Sequence, residues 1–422
     1  GRGPRAPALR PRGGRPPLRR AARPVSLTPI ATEPRPMDRL TETEGLLAEL
    51  VAFPTVSAES NLELIAWADD RLGRLGARTR AYTDPTHRKA NLLASFGPEG
   101  DGGLVLSGHT DVVPVEDQAW TSDPFALTER DGRLHARGAC DMKGFLACVL
   151  AAAPDFAARP LSRPLHIALT HDEEVGCLGA QALARDLRRE GLRPSAAIIG
   201  EPTSMRVVEG HKGCREYTTR FTGLEGHGSR PDRGVNAVAF AVRYAARLME
   251  IAEALRARAP EDSRFEPPWT TLNLGRLAGG RVHNVIPGAA ELDWEMRPVA
   301  EPDAAFALAE IDRFAEETLL PEMRALAPAA AIRRDVVGEV EALTPAEENE
   351  ARRLVAALTG RNDAGLAAFS TEAGVFAGLG MACVVCGPGD IAQAHKPDEY
   401  VARDQLAQCL AMLEGLARRL AA

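Results

Sequence analysis

No stretch of this sequence is apolar for long enough to cross a bilayer. The longest unbroken apolar run, near 145–153, ends at Pro154, against the roughly 20 residues a spanning helix needs, so no membrane partner is expected. A secretory signal is lacking too, and the seven cysteines are an odd number. Both favour reduced thiols in a reducing, cytoplasmic compartment over a disulfide framework. Cys383 and Cys386 form a C-x-x-C without the second pair that a structural zinc site requires. The run 382–386 reads as a buried strand instead. Excess positive charge is missing from most of the chain as well. The net charge of −7 includes nine arginines against the single acid Glu33 in residues 1–36, and becomes −15 once they are set aside. A surface so acidic argues against nucleic acid and is neutral to mildly attractive toward a small cationic substrate.

Residues 1–36 are Arg, Pro, Gly and Ala with almost no aromatic or β-branched content, a composition that cannot bury enough apolar surface to order itself. A transit peptide, a basic interaction arm and translated codons upstream of the true start all remain open there. Scarce serine speaks against the first, and Met37, just ahead of a helix expected over 41–52 with Thr43 and Glu44 at its start, is favoured as the natural start.

The remainder is long enough for two domains. Short β-rich runs (91–96, 104–107, 165–170, 196–199) alternate with amphipathic helical runs (62–75, 144–153, 180–190), the pattern of an α/β fold with a mainly parallel sheet flanked by helices. Between 212 and 343 the pattern changes to strands at 216–221, 271–277, 290–297 and 331–339 with helices at 235–256 and 304–319. That reads as an inserted α+β domain, leaving 37–211 and 344–422 as one unit closed by helices at 345–358 and 402–420.

Several strands of that unit end in polar clusters, where open α/β sheets bind ligands. His109 and Asp111 form H-x-D after an apolar strand; an imidazole there can hold a metal while the carboxylate orients it, although a structural histidine is equally at home. Asp141, between Gly138 and Gly144, stands before a helix and reads either as a ligand or as a cap. Adjacent Glu173 and Glu174 point in different directions, so one can bind a metal while the other handles protons; solvated surface acids are the alternative. Glu201 emerges from a buried strand and needs a partner, a cation or an arginine. His395 lies in a loop after the strand around 381–386. Two histidines and several carboxylates from five loops on one sheet edge suit two divalent ions sharing a bridging carboxylate.

These motifs resemble the dinuclear zinc aminoacylase and carboxypeptidase family, over residues 38–422. The resemblance implies His109, Asp141, Glu174, Glu201 and His395 as ligands of two Zn2+ or Co2+ ions per subunit, with Asp141 bridging, Asp111 orienting His109, and Glu173 as general acid/base. Gly226-His227-Gly228-Ser229-Arg230-Pro231 is similar to a lid segment whose histidine reaches into the partner's site of a homodimer, although a His among glycines also suits a plain turn. Asn284 and Arg297 resemble positions that hold the substrate carboxylate or shape the lid. Gly200-Glu201-Pro202-Thr203, His211-Lys212-Gly213 and Ser370-Thr371-Glu372-Ala373 look most like the family's deacetylases of small N-acyl amino acids. Glu372 would then meet the ammonium of an ornithine-type chain, or pair with a scaffold arginine. The rivals are the same chemistry on another acyl group, a general aminoacylase or exopeptidase, and, in a different class, a metal-free binding protein.

Overall fold

The structure, a computed structural model, describes residues 36–422, with side chains from Arg39 onward; the expectations for residues 1–35 lie outside the described residues. An eight-stranded sheet forms the main layer. Its order is Arg78–Thr83, Ala90–Phe96, Leu165–Thr170, Leu104–His109, Ala196–Pro202, Ala382–Gly387, Val207–His211 and Ala364–Ala367. The four strands from Leu165–Thr170 to Ala382–Gly387 run parallel, while Ala90–Phe96 and Val207–His211 flank them antiparallel.

Side-chain alternation distributes the central strands between two cores. Leu104 and Leu106 join the helices Pro36–Val51, Lys143–Ala157 and Arg403–Leu420 on one face, whereas Val105 joins Leu178–Glu190 and Ala373–Ala377 on the other. With both faces covered, these strands read as continuous apolar runs, which is why they were legible in sequence. The same alternation separates Cys383 from Cys386, which face opposite cores, and all seven cysteines are free thiols.

The first helix begins at Pro36 rather than at the expected 41. Thr43 is therefore interior, and its hydroxyl donates to the Arg39 carbonyl one turn back. The strands Arg78–Thr83, Val207–His211 and Ala364–Ala367 were not foreseen. Two of them are edge strands, and Ala364–Ala367 has small residues with little periodicity to detect.

Residues between the seventh and eighth strands in space build the second layer, a four-stranded antiparallel sheet ordered Thr271–Gly279, Ala289–Arg297, Cys214–Thr222, Ala331–Val340. Tyr217, Phe221, Leu292, Trp294 and Met296 bury one face against Ala237–Arg256 and Glu301–Phe314. Asn236 caps the first of these helices by accepting from the Ala239 amide at 3.0 Å. The helix expected over 304–319 continues past Phe314 as a wider π turn, Ala315–Leu319. A two-residue ribbon pairs Gly226–His227 with Val285–Ile286. The architecture is thus α/β with an inserted α+β layer. No helix among the described residues is long and apolar enough to cross a membrane.

Candidate metal centre

Parallel strands deliver their carboxyl ends to one edge, and the metal-type residues collect there. His109 ends its strand fully buried. Its Nδ1 lies 2.9 Å from the Asp111 carbonyl, which can only accept, so Nδ1 carries the proton and Nε2 faces the cluster. Asp111 therefore orients His109 through its main chain; its carboxylate, expected to do this, is 3.6 Å from Nδ1. That carboxylate instead accepts the Glu173 amide at 3.0 Å, the Glu174 amide at 3.3 Å and the Ser57 hydroxyl at 2.7 Å. It fixes the backbone of the two adjacent acids.

Asp141 presents one oxygen to each of two imidazoles: Oδ1 lies 3.1 Å from His109 Nε2 and Oδ2 lies 3.4 Å from His395 Nε2. His395 Nε2 is also 3.0 Å from Glu174 Oε2. His395 reaches this position with φ at +64°, a left-handed backbone that few side chains other than Gly, Asn, Asp and His adopt. Glu201 puts Oε1 3.7 Å from His109 Nε2, and that buried oxygen has no hydrogen-bond partner. Its strand can approach this closely because Gly200 lacks a side chain; a Cβ there would lie 2.0 Å from the Phe145 ring. Two donor groups result, His109 with Asp141 and Glu174, and His109 with Glu173 and Glu201, each with ligand atoms within 4.8 Å of one another.

The electrostatics call for positive charge. Burial, followed by the neighbouring acids, raises the pKa of Glu173, Glu174 and Glu201 above the usual carboxylate range. Burial opposes charge on His109 too, yet its bond to Asp141 and the nearby Glu201 and Asp111 hold it well above an ordinary histidine. Hydrogen bonds to Asp141 and Glu174 push His395 up to about 10. Protons are thus retained where like charges crowd together, and divalent ions would replace them. The orphaned Glu201 oxygen, a carboxylate divided between two imidazoles and an all N/O donor set fit two zinc- or cobalt-type ions held by His109, Asp141, Glu174, Glu201 and His395.

The remaining residues singled out in the sequence lie elsewhere. Glu372 is fully buried, with Oε1 taken by the Ser107 hydroxyl at 2.5 Å and Oε2 by that of Thr170 at 2.7 Å. The Glu372 carboxylate thus has two hydroxyl partners and pairs with no arginine among the described residues. His227 is exposed and bonds only locally, its Nδ1 2.8 Å from the Ser229 hydroxyl. Asn284, also exposed, accepts the Gly228 amide through its carbonyl. Arg297 is half-buried and donates to Glu295 at 2.8 Å.

Sequence reading missed Glu399. Its Oε1 accepts from the Cys140 and Asp141 amides at 2.9 and 3.0 Å, and its Oε2 pairs with buried Arg137 at 2.7 Å. It holds the Asp141 loop in place. An acid four residues after His395, directly ahead of a short strand, was the available signal.

Two acid–imidazole groups sharing one histidine, with Glu173 a member of one of them, define a metal-dependent hydrolase site. The sequence model of peptidase family M20/M25/M40 matches residues 105–419, and the chain belongs to that family. It is 40% identical over 384 residues to an acetylornithine deacetylase of Myxococcus xanthus, covering 89% of this chain and 97% of that protein. The fold is similar to that of an M20 family metallo-carboxypeptidase from Sulfolobus solfataricus, with a TM-score of 0.69 at 17% identity over 89% of this chain and 98% of that one. A dinuclear metal binding peptidase of Bacillus subtilis superimposes with a TM-score of 0.59 at 16% identity, over 91% and 99% of the two chains.

Proposed function

We propose that this chain removes the acetyl group from N2-acetyl-L-ornithine, yielding ornithine and acetate, a step toward arginine. The observation that carries the reading is the pair of donor groups that meet at His109, one of them including Glu173; identity to the Myxococcus deacetylase supports the substrate. When bound, two divalent ions supply Lewis acidity for the acyl carbonyl and make an attacking water acidic. The Glu173 carboxylate takes the proton of that water and returns it to the departing amine nitrogen. Asp111 holds the Glu173 amide so that the carboxylate stays aimed. His227, delivered by the partner subunit of a homodimer, would donate to the developing oxyanion. Seven free cysteines are in keeping with a reducing, cytoplasmic compartment.

Hydrolysis of N-acetyl-ornithine by metal-loaded wild type beside Glu173→Ala tests the reading. Turnover in the first and a loss of roughly 100- to 10,000-fold in the second, with metal content unchanged, is the expected result. A wild type that binds two ions yet leaves acetyl-ornithine untouched moves the substrate to succinyl or peptidyl amides.

A further inference from the structure

Arginine supplies nearly all of this chain's positive charge: of 51 lysines and arginines, only Lys89, Lys143, Lys212 and Lys396 are lysines. The first three are buried. Lys143 Nζ donates to the Phe53 carbonyl at 2.8 Å, and Lys212 Nζ to the Trp269 carbonyl at 2.9 Å. Lys89 differs, because its Nζ ties together a carbonyl and a carboxylate from two separate segments. It donates to the Ser57 carbonyl at 2.5 Å and to Asp172 Oδ1 at 2.7 Å. A compact ammonium with three donors suits such a junction, where a planar guanidinium fork would need more room.

Those two contacts close a ring around the backbone of Glu173. Asp172 precedes Glu173, whose amide donates to Asp111 Oδ1 at 3.0 Å; Asp111 Oδ2 accepts the Ser57 hydroxyl at 2.7 Å, and the Ser57 carbonyl leads back to Lys89. The Ser57 segment is also fixed from the side. Its amide donates to the Val112 carbonyl at 3.2 Å, and the Val112 amide donates to the Thr55 carbonyl at 3.0 Å. Lys89 is itself anchored, since its backbone amide donates to Asp84 Oδ1 at 2.8 Å. Asp172 has φ at +54°, a left-handed turn that an aspartate adopts at some cost, and its Oδ2 accepts from His171 Nδ1 at 3.0 Å. Lys89 thus pins the turn that sends Glu173 off the strand end.

We propose that Lys89 is a positioning residue for Glu173, holding the Asp172 turn and the Ser57 segment in one geometry so that the Glu173 carboxylate stays aimed. The inference rests on the reading of Glu173 as the group that carries the proton. The described bonds of Lys89 Nζ reach none of the five metal-type ligands, so its loss acts on the rate of the step rather than on metal binding or substrate affinity. A displacement of about 1 Å at a reacting group costs on the order of 100-fold.

The test uses metal-loaded full-chain protein and N-acetyl-ornithine, with Lys89→Met, Asp172→Asn and the double variant, and with Lys89→Met also made on a Glu173→Ala background. Lys89→Met is expected to lower kcat roughly 10- to 100-fold with KM and metal content unchanged. It leaves Asp172 without its lysine counter-charge and so melts lower than wild type. The double variant, in which neither charge remains, melts higher than Lys89→Met yet stays as slow. Asparagine tolerates the left-handed turn, which keeps Asp172→Asn folded; this variant slows turnover in the same way. On the Glu173→Ala background, Lys89→Met costs no more than about twofold, as expected of groups that act as one unit. An unchanged kcat, turnover that recovers together with the melting temperature, an equal loss on both backgrounds, or a loss of metal overturns the proposal. If wild type leaves N-acetyl-ornithine untouched, or Glu173→Ala keeps its turnover, the reading of the site falls by itself. Amide hydrogen exchange over residues 171–176 then decides Lys89 separately: faster exchange in Lys89→Met than in wild type retains its hold on this turn, and equal exchange removes it.

Discussion

The carboxyl edge of the large sheet and the ribbon carrying His227 hold residues assigned to the same reaction, but they are built in opposite ways. At the edge, strands from distant parts of the chain end side by side, and His109, Asp141, Glu201 and Glu399 are all buried and cross-linked. On the ribbon, two short strands of two residues hold an exposed His227 whose described side-chain bonds reach only Ser229. A site that one chain can complete is preorganised by its own core; a group displayed on a ribbon acts only where another surface meets it.

The sharpest way to break this contrast is at its most connected residue. Asp141→Ala is expected to lower turnover by about 1,000-fold or more, since it removes the carboxylate divided between two imidazoles, and elemental analysis should find fewer than two ions per chain. Full metal content with full activity would dissolve the idea of a shared centre. On the ribbon, His227→Ala should cost roughly 100- to 1,000-fold in kcat, the range for an oxyanion donor, with metal content unchanged. Mixing it with Glu173→Ala sharpens the comparison further. Recovered activity in the mixed sample assigns His227 to the neighbouring subunit, and a fully active monomer takes it out of the reaction.

Two smaller effects separate support from contact. Glu399→Gln leaves buried Arg137 without its counter-charge, a loss of about 3–5 kcal/mol by thermal or denaturant unfolding, and should weaken metal binding about 10- to 100-fold. Glu372→Gln replaces one of two acceptors for the Ser107 and Thr170 hydroxyls, costing about 1–3 kcal/mol of stability. Its KM for a cationic substrate should stay within about threefold of wild type; a large rise there would return Glu372 to the substrate pocket.

The metal-type residues were legible because each follows an apolar run or stands between glycines, so an acid or imidazole at a strand end was conspicuous. Glu372 carried the same outward signal, an acid in a distinctive segment, but a one-dimensional pattern does not tell that its carboxylate turns to the Ser107 and Thr170 hydroxyls. Lys212 and Glu399 were given no task, since their partners, the Trp269 carbonyl and the Asp141 amide, are 57 and 258 residues away.

By itself, the sequence determined the α/β class and the edge on which the chemistry gathers, because hydrophobic periodicity and strand-end polarity are local properties of the chain. Tertiary structure alone decided that Asp111 orients His109 through a carbonyl, that two hydroxyls bond Glu372 and that the buried Lys212 ammonium donates to the Trp269 carbonyl. Hydrogen-bond partners and burial are set by what distant segments bring together, and no local pattern encodes them.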